Sequence, residues 1–258
     1  MAFRGAGRAL IELGRPEEGI PHLKDALHID PAASRPWENL GLAYSAIYDD
    51  AAGELFELSR KSPSGQVNPD NPILKRMDAL RAKLAEKDWR AEALTAFREA
   101  VRLDPTEAKY WYNLGTSLEQ YRPREVNDAM SALLKALELD KTYYPALRNL
   151  ALSLRKEGRR REAKEICLRI EKLAGPDDPA VASILGDIAL DEGDLQEAEG
   201  RFTKLLQLEP DSVHAHMSLA ILFRRRGDIE RSREQTEKAV ALDPEHERII
   251  RREIEEGR

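Results

Sequence analysis

Three asparagines stand ahead of a leucine and a small residue: Asn39 in "WENLG", Asn113 in "WYNLG" and Asn149 in "RNLA". A side-chain amide offers a donor and an acceptor together, which is what a peptide bond asks of a partner. Few other side chains could do chemistry. His214 and His216 are two apart, so on a helix they point to different sides and make a poor metal pair. His22, His28 and His246 have no ligand partners at useful spacing. Cys167 is the only cysteine, which excludes an internal disulfide and a cysteine-rich metal site. "GAG" at 5–7 lacks the Gly-Lys-Ser/Thr ending of a phosphate loop. Acid pairs such as Glu17 and Glu18 sit at solvated helix starts. The expectation is no enzyme, no cofactor and no metal site.

What must position the asparagines is a set of helices. The chain has 258 residues, 41% hydrophobic and 34% charged, enough apolar material for a folded body. No apolar run approaches the roughly 18 residues of a membrane helix, and no secretory leader pattern opens the chain. Membrane insertion is not expected, and the expected location is cytoplasmic. A net charge of −6 argues against general attraction to nucleic acid or anionic lipid. Phase markers recur: "IDP" at 29–31, "LDP" at 103–105, "LDK" at 139–141, "LEP" at 208–210 and "LDP" at 242–244. Gly158, Gly193 and Gly227, each opening a turn, are spaced by 35 and 34 residues. Between the markers apolar residues keep helical spacing, as in Leu147, Leu150, Ala151 and Leu154, so each unit reads as two amphipathic helices around a short turn.

These residues resemble the tetratricopeptide repeat (TPR) family, whose pattern places tryptophan, leucine, glycine and tyrosine on helix A, alanine and an aromatic on helix B, and a closing proline. The matches include Trp111, Leu114, Gly115 and Leu118, with Ala129 and Ala136 on helix B; Ala93, Phe97, Ala100 and Pro105; and Leu185, Gly186, Gly193, Ala198, Phe202 and Pro210. The implied fold is all-α, a TPR-like α-solenoid in which antiparallel helix pairs wind as a right-handed superhelix. About seven repeats are expected in one array over 1–246. They run 1–33, 34–73, 74–107, 108–143, 144–178, 179–212 and 213–246, with a capping helix at 247–258 carrying Ile249, Ile250 and Ile254 on one side. The second unit is degenerate, with a loop inserted at 62–72 that accounts for the 74-residue step from Trp37 to Trp111 as two units plus six residues. The fourth carries about two extra residues around Pro123. Met1 falls near the second residue of a helix A with no capping residue before it, which reads as a fragment of a longer repeat protein. Cys167 takes the helix B place of Phe97 and Phe202 and reads as a core thiol.

The resemblance puts helix A on the concave groove and gives its asparagine the task of bonding the main chain of an extended ligand. The groove positions are Asn39, Lys75, Lys109, Tyr112, Asn113, Thr116, Arg148, Asn149, Ser183 and Asp187. This mixture suits a polar or acidic peptide. Some family members hold a chaperone's terminal carboxylate with a five-residue clamp over three repeats. The best match, Arg4, Arg8, Asn39 and Lys75, lacks its fifth member at Ala79, and no working clamp is expected. Arg155, Lys156, Arg159 to Arg161 and Arg224 to Arg226 form a basic edge, opposite acids at the links between units, with helix-dipole complementarity as the plain explanation. The expected function is a non-catalytic scaffold binding a protein or peptide; nucleic acid is not an expected partner, since no aromatics interleave with the basic edge. A regulatory or targeting segment of a larger protein is the alternative. The sequence sets no oligomeric state.

Overall fold

The computed structural model describes residues 2–61 and 71–257, and side chains from Gly5 onward. Within these residues the fold is all-α, built of antiparallel helix pairs with no strand. Two compact units divide the chain, residues 1–141 and 142–258, where a single array was expected.

The first unit contains α1 (Ala2–Glu12), α2 (Pro16–Ile29), α3 (Ser34–Lys61), α4 (Pro72–Glu86), α5 (Trp89–Leu103), α6 (Ala108–Tyr121) and α7 (Val126–Leu139). The second contains α8 (Tyr144–Lys156), α9 (Arg160–Ala174), α10 (Pro179–Glu192), α11 (Leu195–Leu208), α12 (Val213–Arg225), α13 (Ile229–Leu242), a 3₁₀ turn (Pro244–His246) and α14 (Glu247–Glu256). Local chemistry sets the ends. Asp88, Asp194 and Asp228 each accept a backbone N–H three residues on, satisfying one orphan donor of the helix that follows. At Gly193 and Gly227 the turn between paired helices needs φ of +80° and +77°, which glycine adopts without strain.

Pairing follows a size rule. A Cβ added to Gly41 would lie 2.5–2.7 Å from the Phe97 ring, and one added to Gly186 would lie 2.6–2.9 Å from Phe202. Gly7 and Gly115 leave room in the same way for Leu23 and Leu133. Where helix A carries alanine, at Ala151 and Ala220, the matching helix B places hold the smaller Cys167 and Thr236. Close-packed interiors require this compensation, since volume added on one helix must be removed from the other. In α13, Ser232 replaces the usual alanine and donates its hydroxyl to the Ala220 carbonyl at 2.9 Å.

The Gly41 to Phe97 contact corrects the repeat frame. Gly41 lies on α3 and Phe97 on α5, so these two helices form one A–B pair, equivalent to α6 with α7. The expected turn inside the second unit does not exist: α3 runs unbroken for 28 residues, through Gly53. Strong helix formers follow Gly53 in place of a turn and cap, so nothing stops the helix. Six A–B pairs therefore occupy the described residues where seven units were expected, three in each compact unit. The end of α3 and α4 form an arm inserted between the two helices of one pair. α4 packs along α3, with Arg76 bidentate to Glu54 at 2.6 and 2.7 Å, while its Lys83 pairs with Glu17 of α2. Of the loop expected at 62–72, only Asn71 and Pro72 lie within the described residues; Asn71 caps α4 through a bond from the Ile73 N–H at 2.9 Å.

In the second unit α14 packs on α12 and α13 with Ile250 and Ile254 buried, whereas Ile249 is exposed, against expectation. Arg251 anchors the cap, bidentate to Glu237 at 3.0 Å and bonded to Glu247 at 2.8 Å.

Candidate functional site

A cavity of about 830 Å³ opens in the first unit between α1, the link from Asp30 to Ala33, α3 and the start of α6. With the pairing above, α1, α3 and α6 are successive helix A elements, so their exposed faces meet here. Arg8, Arg35, Glu38, Asn39, Lys109 and Tyr110 supply its polar lining.

Glu38 is 3% exposed, a burial that a carboxylate tolerates only with partners. Its Oε1 lies 2.5 Å from the Lys109 ammonium and accepts from Asn113 Nδ2 at 3.2 Å. Asn39 beside it is 5% exposed, and its Oδ1 has no hydrogen-bond partner among the described residues. A buried acceptor left this way costs about 1–3 kcal/mol. Arg35 lies one helical turn before Asn39, exposed and without an ion pair among the described residues. Arg8 is held by Glu12 at 2.8 Å. The hydroxyls of Tyr110 and Ser34 share a bond at 3.2 Å, and burial pushes the Tyr110 phenol above its ordinary pKa.

The ten expected groove residues separate into three sets. Asn39, Lys109, Tyr112, Asn113 and Thr116 stand on α3 and α6, but only Asn39 and Lys109 line the cavity. Asn113 is committed to Glu38, and the Thr116 hydroxyl donates back to the Tyr112 and Asn113 carbonyls at 3.1 Å. Arg148, Asn149, Ser183 and Asp187 belong to the second unit. There Arg148 stands 3.9 Å from the buried Asp178, Asn149 and Ser183 are half-buried, and Asp187 bridges Arg155 of α8 and His214 of α12, the latter at 2.9 Å. Lys75 must be corrected: it stands exposed on α4, in the inserted arm and not on a helix A. Lys109 takes the place beside Arg8 and Asn39 that the shifted frame assigned to Lys75. Arg4 lies outside the described side chains. Sequence alone does not single out Arg35 and Glu38, because their neighbours across the groove depend on which helix A follows α3.

The second unit has a cavity of about 440 Å³ whose lining includes Arg155, Arg160, Asp187, Asp191, His214 and Arg225. Its charges are mutually engaged. Arg155 pairs with Asp187, Arg160 lies 2.8 Å from Asp191, and Arg225 donates to the Leu190 carbonyl at 2.7 Å and the Gly257 carbonyl at 2.9 Å. Leu190 and Gly257 lie at helix C-termini, so this part of the basic edge complements helix dipoles. Arg226 bonds the Leu195 carbonyl, at the start of α11, at 2.7 Å and pairs with Glu199. His216 is buried and bonds Gln235 at 2.7 Å, and Cys167 is fully buried on α9. No group of three or more His, Cys, Asp or Glu side chains is placed to hold a metal ion among the described residues. No described helix is long and apolar enough to cross a membrane.

A family model for the tetratricopeptide repeat matches residues 4–65, 78–144, 148–202 and 184–247. The chain is 22% identical over 255 residues to the human protein O-mannosyl-transferase TMTC3, covering 98% of this chain and 27% of that protein. It is 30% identical over 163 residues to the peroxisomal targeting signal receptor of Komagataella phaffii, covering 60% of this chain and 28% of the receptor. The solved structure of pilF from Pseudomonas aeruginosa superposes with a TM-score of 0.65 at 18% identity, covering 94% of this chain and 91% of that one. The chain thus spans little more than a quarter of the length of either curated relative.

Proposed function

The chain belongs to the tetratricopeptide repeat family, and from that footing we propose that it is a non-catalytic scaffold whose first unit receives an extended peptide segment in the cavity beside Asn39. One observation carries the reading: Asn39 is 95% buried at the wall of an 830 Å³ cavity with its carbonyl oxygen unpartnered among the described residues. A main-chain N–H is the donor such an acceptor suits, and it asks for no particular side chain. Arg35, one turn away, supplies a cation for an acidic ligand residue. Asn149, Ser183 and Asp187 of the second unit have no part in this site.

Retention of a random peptide pool on the immobilised full chain tests this. Asn39→Ala removes one buried neutral hydrogen bond and should lower retention about 3- to 10-fold, while Asn149→Ala should leave it unchanged. Equal retention by wild type and Asn39→Ala would sink the groove reading.

A second reading is that these repeats are the interaction segment of a larger multidomain protein. It is favoured by the relatives' length, of which this chain matches 27% and 28%. Mass measurement of the native product decides it: a product of about 29.2 kDa rejects it.

A further inference from the structure

We infer that Glu38 is a resident carboxylate that already fills an anion position of the groove, and that it thereby closes the α6 side to acidic ligands and leaves the Arg35 side open. This rests on the groove reading proposed above and adds a charge selection to it. The geometry is that of a bound anion. An ammonium and a side-chain amide, on the facing helix A, converge on one oxygen of a carboxylate that is almost fully buried. A ligand carboxylate seeking the same two donors would meet a fixed negative charge a few ångströms away, in surroundings that screen it poorly. The other acids of the lining do not open a route. Glu107 is turned onto its own helix start, accepting the Lys109 N–H at 3.4 Å, and Asp30 adds a further negative charge to the cavity rim.

Among the described cations of the lining, Lys109 is bound by Glu38 and Arg8 by Glu12, so of these Arg35 carries the remaining positive charge at the cavity. An acidic side chain of the ligand is therefore read at Arg35, one turn from the main-chain contact at Asn39, and not at Lys109. Neutralising Glu38 should release Lys109 and Asn113 and create a second anion site. The near-isosteric change Glu38→Gln keeps the shape and removes the charge.

The test uses the full chain, labelled with ¹⁵N, and glutarate as the probe. In wild type the Asn113 side-chain amide should not respond to glutarate. In Glu38→Gln glutarate should move that signal with an affinity about tenfold or more above any wild-type response, the factor one charge-assisted hydrogen bond supplies. The double variant Glu38→Gln with Lys109→Met should lose the gain. A wild-type Asn113 amide that titrates with glutarate overturns the inference without any variant. So does an equal response of wild type and Glu38→Gln, or a gain that survives in the double variant. Peptide retention by wild type and its loss in Asn39→Ala report on the groove reading alone, so the two can fail separately.

Discussion

Phe97→Ala should destabilise the first unit by about 3–5 kcal/mol, the cost of deleting a buried ring and leaving part of its volume empty. Phe97 is 1% exposed and its ring lies over Gly41 of α3. Gly41→Ala should also destabilise, by about 1–3 kcal/mol, because a methyl there collides with ring atoms. The telling result is the double variant. Once the ring is gone, alanine at 41 fits, and its better helix propensity, up to about 1 kcal/mol, should make the second change neutral or stabilising. The coupling should therefore exceed about 1 kcal/mol. If α4 were the helix A partner of α5, Gly41 and Phe97 would belong to different pairs and their effects would add. Urea unfolding followed by tryptophan fluorescence reads the right part of the chain, since Trp37, Trp89 and Trp111 all lie in the first unit.

That experiment addresses the one place where periodicity misled. Helix identity, the glycine turns at Gly158, Gly193 and Gly227, and the A–B register of the second unit were legible, because each unit there carries its own turn glycine. The 74-residue step from Trp37 to Trp111 was read as two units with six surplus residues. It is one unit of about 34 residues enlarged by some 40. Ala51, Leu55 and Leu58 carry a helical period that serves a new helix B or a continued α3 equally well. What separates the two is a turn signal, and Gly53 without a following cap is not one. The size rule held the answer: Gly41 demands a large apolar side chain on its partner, and Phe97 supplies it, whereas the helix B expected for that unit has Glu57 at the matching place.

The same slip decides how much of the site could be read. Asn39 was identifiable from its place in "WENLG", since that depends on α3 alone. Asn113 is recognisable in sequence by the same pattern, but its bond to Glu38 is not, because α6 follows α3 as the next helix A only when the inserted arm is set aside. Lys75 was assigned by counting forward from α3 and landed in the arm. Thr116 shows a different limit, since a threonine on a groove face is indistinguishable in sequence from one that bonds back to its own helix. The chemistry of a repeat groove therefore depends on pairs across helices, and those depend on the frame before they depend on residue type.

Cys167 offers a result of comparable size in the second unit. Burial, with the negative charges of Glu171 and Asp178 adding to it, pushes its thiol up to about 12. An unfolded thiol titrates near ~8.5, so at pH 8 the folded thiolate fraction falls by about a thousandfold, before blocked access is counted. Iodoacetamide should therefore label Cys167 at least a thousandfold more slowly than it labels the chain in urea, in flow limited by opening of the unit. The linkage has a definite sign. A raised folded pKa on a group that ionises to an anion leaves stability intact below the unfolded value and removes it as pH climbs from about 8.5 toward 12. Between pH 8 and pH 10 wild type should lose about 2 kcal/mol more than Cys167→Ala, in which this titration is absent. Tyr144, raised to about 12 by burial and by its bond to Asp178, is present in both forms and cancels. Rapid labelling at pH 8, or parallel stability curves for the two forms, would show that the helix B position of Cys167 is open to solvent and would remove it from the packing series that Phe97 and Phe202 define.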